Sequence, residues 1–172
     1  MKIALLGTLK PHTKIRSWLV SEPVSVPYFD GQLLTFTFTL DGLTNTDAQD
    51  AESAVAAFLG LRSDARLAAS RYVFQNYRRM AEAVGEDEID CHIGSSDDVW
   101  RHVHPTEIYV SRRSRRDMLI YIQITAECDW EREHGLQIVY RRGSELCRVS
   151  DQDGHLTHTD AYDLAEEQDK VA

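Results

Sequence analysis

No apolar run in the chain approaches the length needed to cross a bilayer, which excludes a helical membrane span. The short apolar start, Met1-Lys2-Ile3-Ala4-Leu5-Leu6-Gly7, is too brief for a signal peptide and is followed by Lys10 and Lys14 with no small-residue cleavage pattern. It reads as a strand or a lead-in. Cysteine is scarce: Cys91, Cys128 and Cys147 are odd in number and widely spaced, which argues against a disulfide framework and leads us to expect a reducing, cytoplasmic location. Glycine-rich phosphate loops, a Gly-x-Ser-x-Gly elbow, Cys-x-x-Cys and His-Glu-x-x-His are all missing. A basic face is missing too. The net charge of −9 divides into −6 from Asp151 onward and −3 over the first 150 residues, so neither part suits a nucleic-acid backbone.

What remains is 172 residues, 42% of them hydrophobic, enough for one domain with a proper core. We expect a single domain over residues 1–156 and an acidic C-terminal tail over 157–172, the latter frayed or disordered. Val24-Ser25-Val26 and Leu33 to Leu40 flank an Asp30-Gly31 turn signal and predict a hairpin. In the second run Leu34, Phe36, Phe38 and Leu40 share one side, the period-two pattern of a half-buried strand. Asp41-Gly42 breaks that strand. Thr46-x-x-Gln49 then predicts a capping box opening a helix that Gly60 ends. A longer helix follows from Ser63 to Gly85, its stripe being Ala65, Ala69, Tyr72, Val73, Asn76, Met80 and Val84. A short helix is expected over Asp97 to Val103, stopped by Pro105.

Beyond Pro105 a four-stranded meander is predicted: Glu107–Arg112, Met118–Glu127, Leu136–Tyr140 and Leu146–Val149. The fold class is therefore α+β, a mainly antiparallel sheet of N-terminal hairpin and C-terminal meander with two central helices on one face. The cluster Arg112-Arg113-Ser114-Arg115-Arg116 reads as a solvated turn, or as a surface onto which the acidic tail folds back.

Rare chemistry gathers between the second and third meander strands, in the loop Cys128 to Gly135. Asp129 is placed to cap a single helical turn and Gly135 to close it in the left-handed conformation, with Trp130 projecting sideways and Glu131, Glu133 and His134 crowded together. A carboxylate beside an imidazole fixes its tautomer, as acid–base chemistry requires, so His134, Glu131 and Glu133 are the catalytic candidates. The loop's plainer role is support for the core, with Trp130 plugging its end. Cys91, His92, His102, His104, Cys128, His134, Cys147, His155 and His158 include zinc-ligand types, but at no standard spacing, so neither a metal nor another cofactor is expected.

The segment Cys128-Asp129-Trp130-Glu131-Arg132-Glu133-His134-Gly135-Leu136, with Arg142-Gly143 and Asp153-Gly154-His155-Leu156 after it, resembles an uncharacterised bacterial family, one of the domains of unknown function. Val26-Pro27-Tyr28-Phe29-Asp30-Gly31 and Phe74-x-x-Tyr77 extend the resemblance over most of residues 20 to 156. It implies no activity. The first functional expectation is a non-enzymatic module that binds a protein partner, basic in character, through Trp130, Asp129, Glu131, Glu133 and His134; an immunity-type antitoxin is one form of it. The alternative is a small hydrolase or metal-dependent enzyme using the same loop. A homo-oligomer built by edge pairing of the sheet is a third expectation.

Overall fold

The structure is a computed structural model, and it describes residues 1–40, 45–114 and 116–171. The expected break at Asp41-Gly42 and Arg115 of the basic cluster lie outside the described residues. The chain opens with the short pair β1 (Lys2–Ile3) and β2 (Gly7–Thr8), then β3 (Lys10–Pro11), β4 (Leu19–Val20), β5 (Val24–Val26), β6 (Gln32–Leu34) and β7 (Phe36–Phe38). Helices α1 (Asn45–Gly60) and α2 (Arg66–Val84) come next. The long strands are β8 (Val103–Arg112), β9 (Ile120–Cys128), β10 (Glu131–Arg141) and β11 (Glu145–Asp151), and α3 (His158–Tyr162) follows. The main sheet has the order β11-β10-β9-β8-β7-β4-β3. All of its pairings are antiparallel except β7 with β8. The class is α+β.

The predicted run Leu33 to Leu40 keeps its alternation but not its continuity. Leu34, Phe36, Phe38 and Leu40 are all buried, while Leu34 belongs to a separate β5–β6 ribbon and Phe36 begins the main-sheet strand. The chain changes partner at Thr35, whose carbonyl accepts from the Ile108 amide. The N-terminal hairpin thus stands beside the sheet and not within it. Helix α1 begins at Asn45, so Thr46 lies inside the helix and is not its cap. Along α2 the buried face is Ala69, Ser70, Val73, Asn76, Tyr77 and Ala81; Val84 is exposed, and Gly85 ends the helix at φ +100°. The expected helix over Asp97 to Val103 is a single 3-10 turn, Val99–His102, because the chain must become extended at Val103 to start β8.

Both helices lie on the face made by Ile108 and Val110 of β8, Ile120, Ile122, Ile124 and Ala126 of β9, and Leu136, Ile138 and Tyr140 of β10. Met118, the first residue of the predicted strand Met118–Glu127, is exposed in the β8–β9 turn at φ +58°. Burying a row of aliphatic side chains at about 1.5–3 kcal/mol each is the main force holding helices to sheet. Tyr28 adds an aromatic knot: it is fully buried, its ring meets Phe29, Phe58, Trp100 and Tyr140, and its hydroxyl is the acceptor of a 2.9 Å bond from Tyr140.

The other face carries a small cluster of Tyr121, Val139 and Cys147 with Leu119 and Leu156. Here the C-terminal segment departs from the expected frayed or disordered tail and takes the other course, folding back onto the basic cluster. It is ordered against the sheet: Thr157 caps α3 by accepting from the Asp160 amide, and the Val149 amide of β11 donates to the Val171 carbonyl at 2.8 Å. Its carboxylates meet the basic cluster, Arg113 donating to Asp160 at 2.8 Å and to Glu166 at 2.8 Å. The Arg113 hydrogen bonds hold the Glu166 carboxyl down at about 2, against an ordinary 4.5. A carboxyl depressed on folding stabilises the docked form above its free value, and that contribution is lost as pH falls from about 4.5 towards about 2. A carboxyl NMR titration of Glu166 is expected to give a midpoint near 2; a midpoint near 4.5 would mean that the pair does not form in solution.

Candidate functional site

The Cys128–Gly135 segment is not a helical turn. Cys128 and Glu131 face each other across β9 and β10, which leaves Asp129 and Trp130 as a two-residue turn and residues 132–135 as a bulge before pairing resumes at Leu136 with Ala126. A bulge inserts residues on one strand only and re-aims their side chains away from the ladder. Gly135 makes it feasible: at φ +64° its α-carbon faces the Ala126 carbonyl, and a β-carbon there would lie 2.6 Å from that oxygen and 2.6 Å from the Gln152 amide.

Trp130 points inward. It is 3% exposed, its ring meets Tyr77 edge-on at 6.0 Å, and its indole N–H donates to Asn76 Oδ1 at 2.9 Å. Asn76 in turn donates to Asp151 at 2.8 Å, so one buried amide ties the hairpin to α2 and to β11. This corrects the expectation of a surface anchor and agrees with the plainer one, Trp130 plugging the end of the core. A large ring beside an apolar core is driven inward, and the amide at the far side satisfies its one donor. Cys128 is equally enclosed, with its thiol 3.4 Å from the Glu131 carbonyl, and burial pushes that thiol up to about 12. Such a thiol is protonated at neutral pH and is no nucleophile.

The polar members, all but the buried Glu131 reaching the surface, enclose a cavity of about 460 Å³, lined by His104, Glu127, Asp129, Glu131, Arg132, Glu133, His134 and Gln152 among others. Asp129 receives two imidazoles, His102 Nδ1 at 2.8 Å and His104 Nε2 at 2.8 Å, and its own amide donates to the His102 carbonyl at 3.1 Å. An ionised carboxylate only accepts, so His102 carries its proton on Nδ1 and His104 on Nε2. Partial burial opposes ionisation of Asp129, but the bonds from His104 and His102 outweigh it and hold the carboxyl below its ordinary range. Glu131 follows the same logic. Burial works against its charge, while the amides of Glu133 at 2.7 Å and His134 at 3.2 Å, together with the His134 ring at 3.5 Å, lower its pKa.

Of the five residues singled out in the sequence, four therefore line one cavity, and Trp130 supports it from inside. His102 and His104 were visible in the sequence only as zinc-ligand types; they converge instead on Asp129, across 27 and 25 residues. Among the described residues, no group of three or more His, Cys, Asp or Glu side chains is placed to hold a metal ion. No helix among them is long and apolar enough to cross a membrane.

Three comparisons with known proteins bear on the site. A family model described as a domain of unknown function (DUF6985) matches residues 5–156, a span that includes the whole hairpin and its histidine partners. No curated protein and no solved structure matches the chain.

Proposed function

We propose a function from the chemistry of the pocket itself, since the chain belongs to the DUF6985 family, whose description assigns none. The protein is a binding module, and the pocket at the β9–β10 turn takes a cationic group, a guanidinium or an ammonium, presented by a basic protein partner. The observation that carries this reading is the state of the two inner carboxylates. Asp129 and Glu131 are each bonded on the protein side by donors that fix them charged, beside Glu127 and Glu133 and with Arg132 as the single cation in the wall. Preorganised negative charge around a concavity is what a desolvated guanidinium needs, because the carboxylates do not have to reorient on binding. Arg132 is already paired with Asp90 at 2.7 Å, a carboxylate that does not line the pocket. An immunity-type role, in which an acidic surface masks a basic enzyme, is the biological form that suits this chemistry.

The test is fluorescence anisotropy with a labelled arginine-rich peptide. The double variant Glu127→Gln and Glu133→Gln alters only exposed side chains and is expected to bind about tenfold more weakly than wild type, roughly 1.4 kcal/mol. Asp64→Asn with Asp163→Asn removes the same charge from exposed positions outside the pocket lining and is expected to leave affinity within about twofold. Equal weakening by the two pairs would reduce the interaction to net charge and end the proposal.

A further inference from the structure

At the other end of strands β8 to β10, three arginines meet the C-terminal segment. Arg113 is 2% exposed, and its N–H groups are shared among Asp160, Glu166, Thr159 and Asp117. Arg116 donates to Glu166 at 2.5 Å and to the Leu164 carbonyl at 3.1 Å. Arg141 reaches Asp169 at 3.1 Å, and its Nε donates to the Tyr121 hydroxyl at 2.9 Å. Two features separate this contact from ordinary core packing. Within residues 157–171 only Thr157 and Thr159 are fully buried, and both are polar; of the apolar residues, Ala161, Leu164 and Val171 are partly buried, with Val171 packed against the core, and Tyr162 is exposed. The segment also leaves a cavity of about 580 Å³ beneath it, lined by Asp117, Arg141, Arg142, Glu145, Cys147 and Lys170 among others. The family match ends at residue 156, immediately before the segment begins.

We infer that this arginine-lined cleft is a binding site for an acidic peptide segment, and that the chain's own residues 157–171 occupy it in cis. The domain supplies the recognition: a planar guanidinium fork in Arg113 for bidentate carboxylates, flanked by Arg116 and Arg141. The segment supplies Asp160, Glu166 and Asp169 at the matching places. Most of the segment's direct contacts are between arginines and carboxylates, so the contact weakens with salt. A tethered ligand competes at the high local concentration of an intramolecular partner, which keeps the cleft closed to weak acidic segments and open to strong ones. The cleft shares no lining residue with the β9–β10 pocket and does not depend on the function proposed for it.

The experiment uses the full chain carrying Asp160→Asn, Glu166→Gln and Asp169→Asn, which keeps the segment's shape and removes its charge. The probe is a labelled peptide of residues 157–171. The variant is expected to bind the peptide at least about tenfold more tightly than wild type, and the further change Arg116→Gln to weaken that binding. Equal binding by wild type and variant, or none by a folded variant, overturns the inference. Should the variant fail to fold, amide exchange on the wild-type chain decides. Residues 157–171 are expected to exchange ahead of β8–β11 and to accelerate in high salt while the strands do not. Exchange of segment and strands as one unit overturns the inference.

Discussion

Replacing Trp130 by alanine is expected to lower stability by about 3–5 kcal/mol, the usual loss for a large aromatic removed from a core. The ring is buried against Tyr77, and the indole is the donor that Asn76 accepts. Deletion opens a void between α2 and the sheet and leaves a buried amide oxygen short of a partner, and these two penalties add. Urea unfolding followed by far-UV circular dichroism measures the loss. A change below about 1 kcal/mol would mean that the ring contributes little to packing, as only an exposed side chain does. Trp130→Phe keeps most of the volume and removes the donor, so its smaller loss, about 1–3 kcal/mol, isolates the hydrogen bond.

Gly143→Ala has a comparable effect from a different cause. The β10–β11 turn runs Arg142 at φ +52° and Gly143 at φ +82°, and it abuts α1 so closely that a β-carbon on Gly143 would lie 1.9 Å from the Ala54 carbonyl oxygen and 2.8 Å from its carbon. Both obstacles are backbone, so relief requires turn and helix to separate. The left-handed conformation costs a non-glycine residue about 1–2 kcal/mol, and forcing the layers apart adds about 1–3 kcal/mol. Gly154 provides the control, because it has φ +80° with nothing within 4 Å of its notional β-carbon. Gly154→Ala is expected to show the conformational term alone, about 1–2 kcal/mol. Equal unfolding midpoints for the two variants would show that the turn does not press on α1.

Those two positions mark where the sequence could and could not be read. The Arg142-Gly143-Ser144 turn lies between two predicted strands, where a glycine signals positive φ, but its contact with Ala54 joins residues about ninety positions apart in the chain. The inward rows Leu34, Phe36, Phe38, Leu40 and Ile120, Ile122, Ile124, Ala126 were legible because alternation depends only on neighbours. The break at Thr35 was not, because the same alternation suits one strand or two that share a face. For Trp130 the core-plug reading holds and the surface-anchor reading fails, for a related reason. A tryptophan ringed by Asp129, Glu131, Arg132 and Glu133 looks exposed by composition, whereas a tight turn followed by a bulge turns that ring inward and the charges outward. The docking of the C-terminal segment was foreseen only as an alternative, since the arginines it meets lie 28 to 53 residues upstream of their partners and an acidic composition by itself suggests disorder.

A division of labour at the β9–β10 turn follows: Trp130 and Asn76 fix its position from inside, and Asp129 and Glu131, held by His102, His104 and backbone amides, face the pocket that we propose takes a cation. The most direct measurement is imidazole NMR of the full chain during titration with the arginine-rich peptide. The account predicts that the ring signals of His104 and His134 shift together along one binding curve while those of His12 and His158, remote from the pocket, stay fixed. Unmoved His104 and His134 signals at saturating peptide would contradict it.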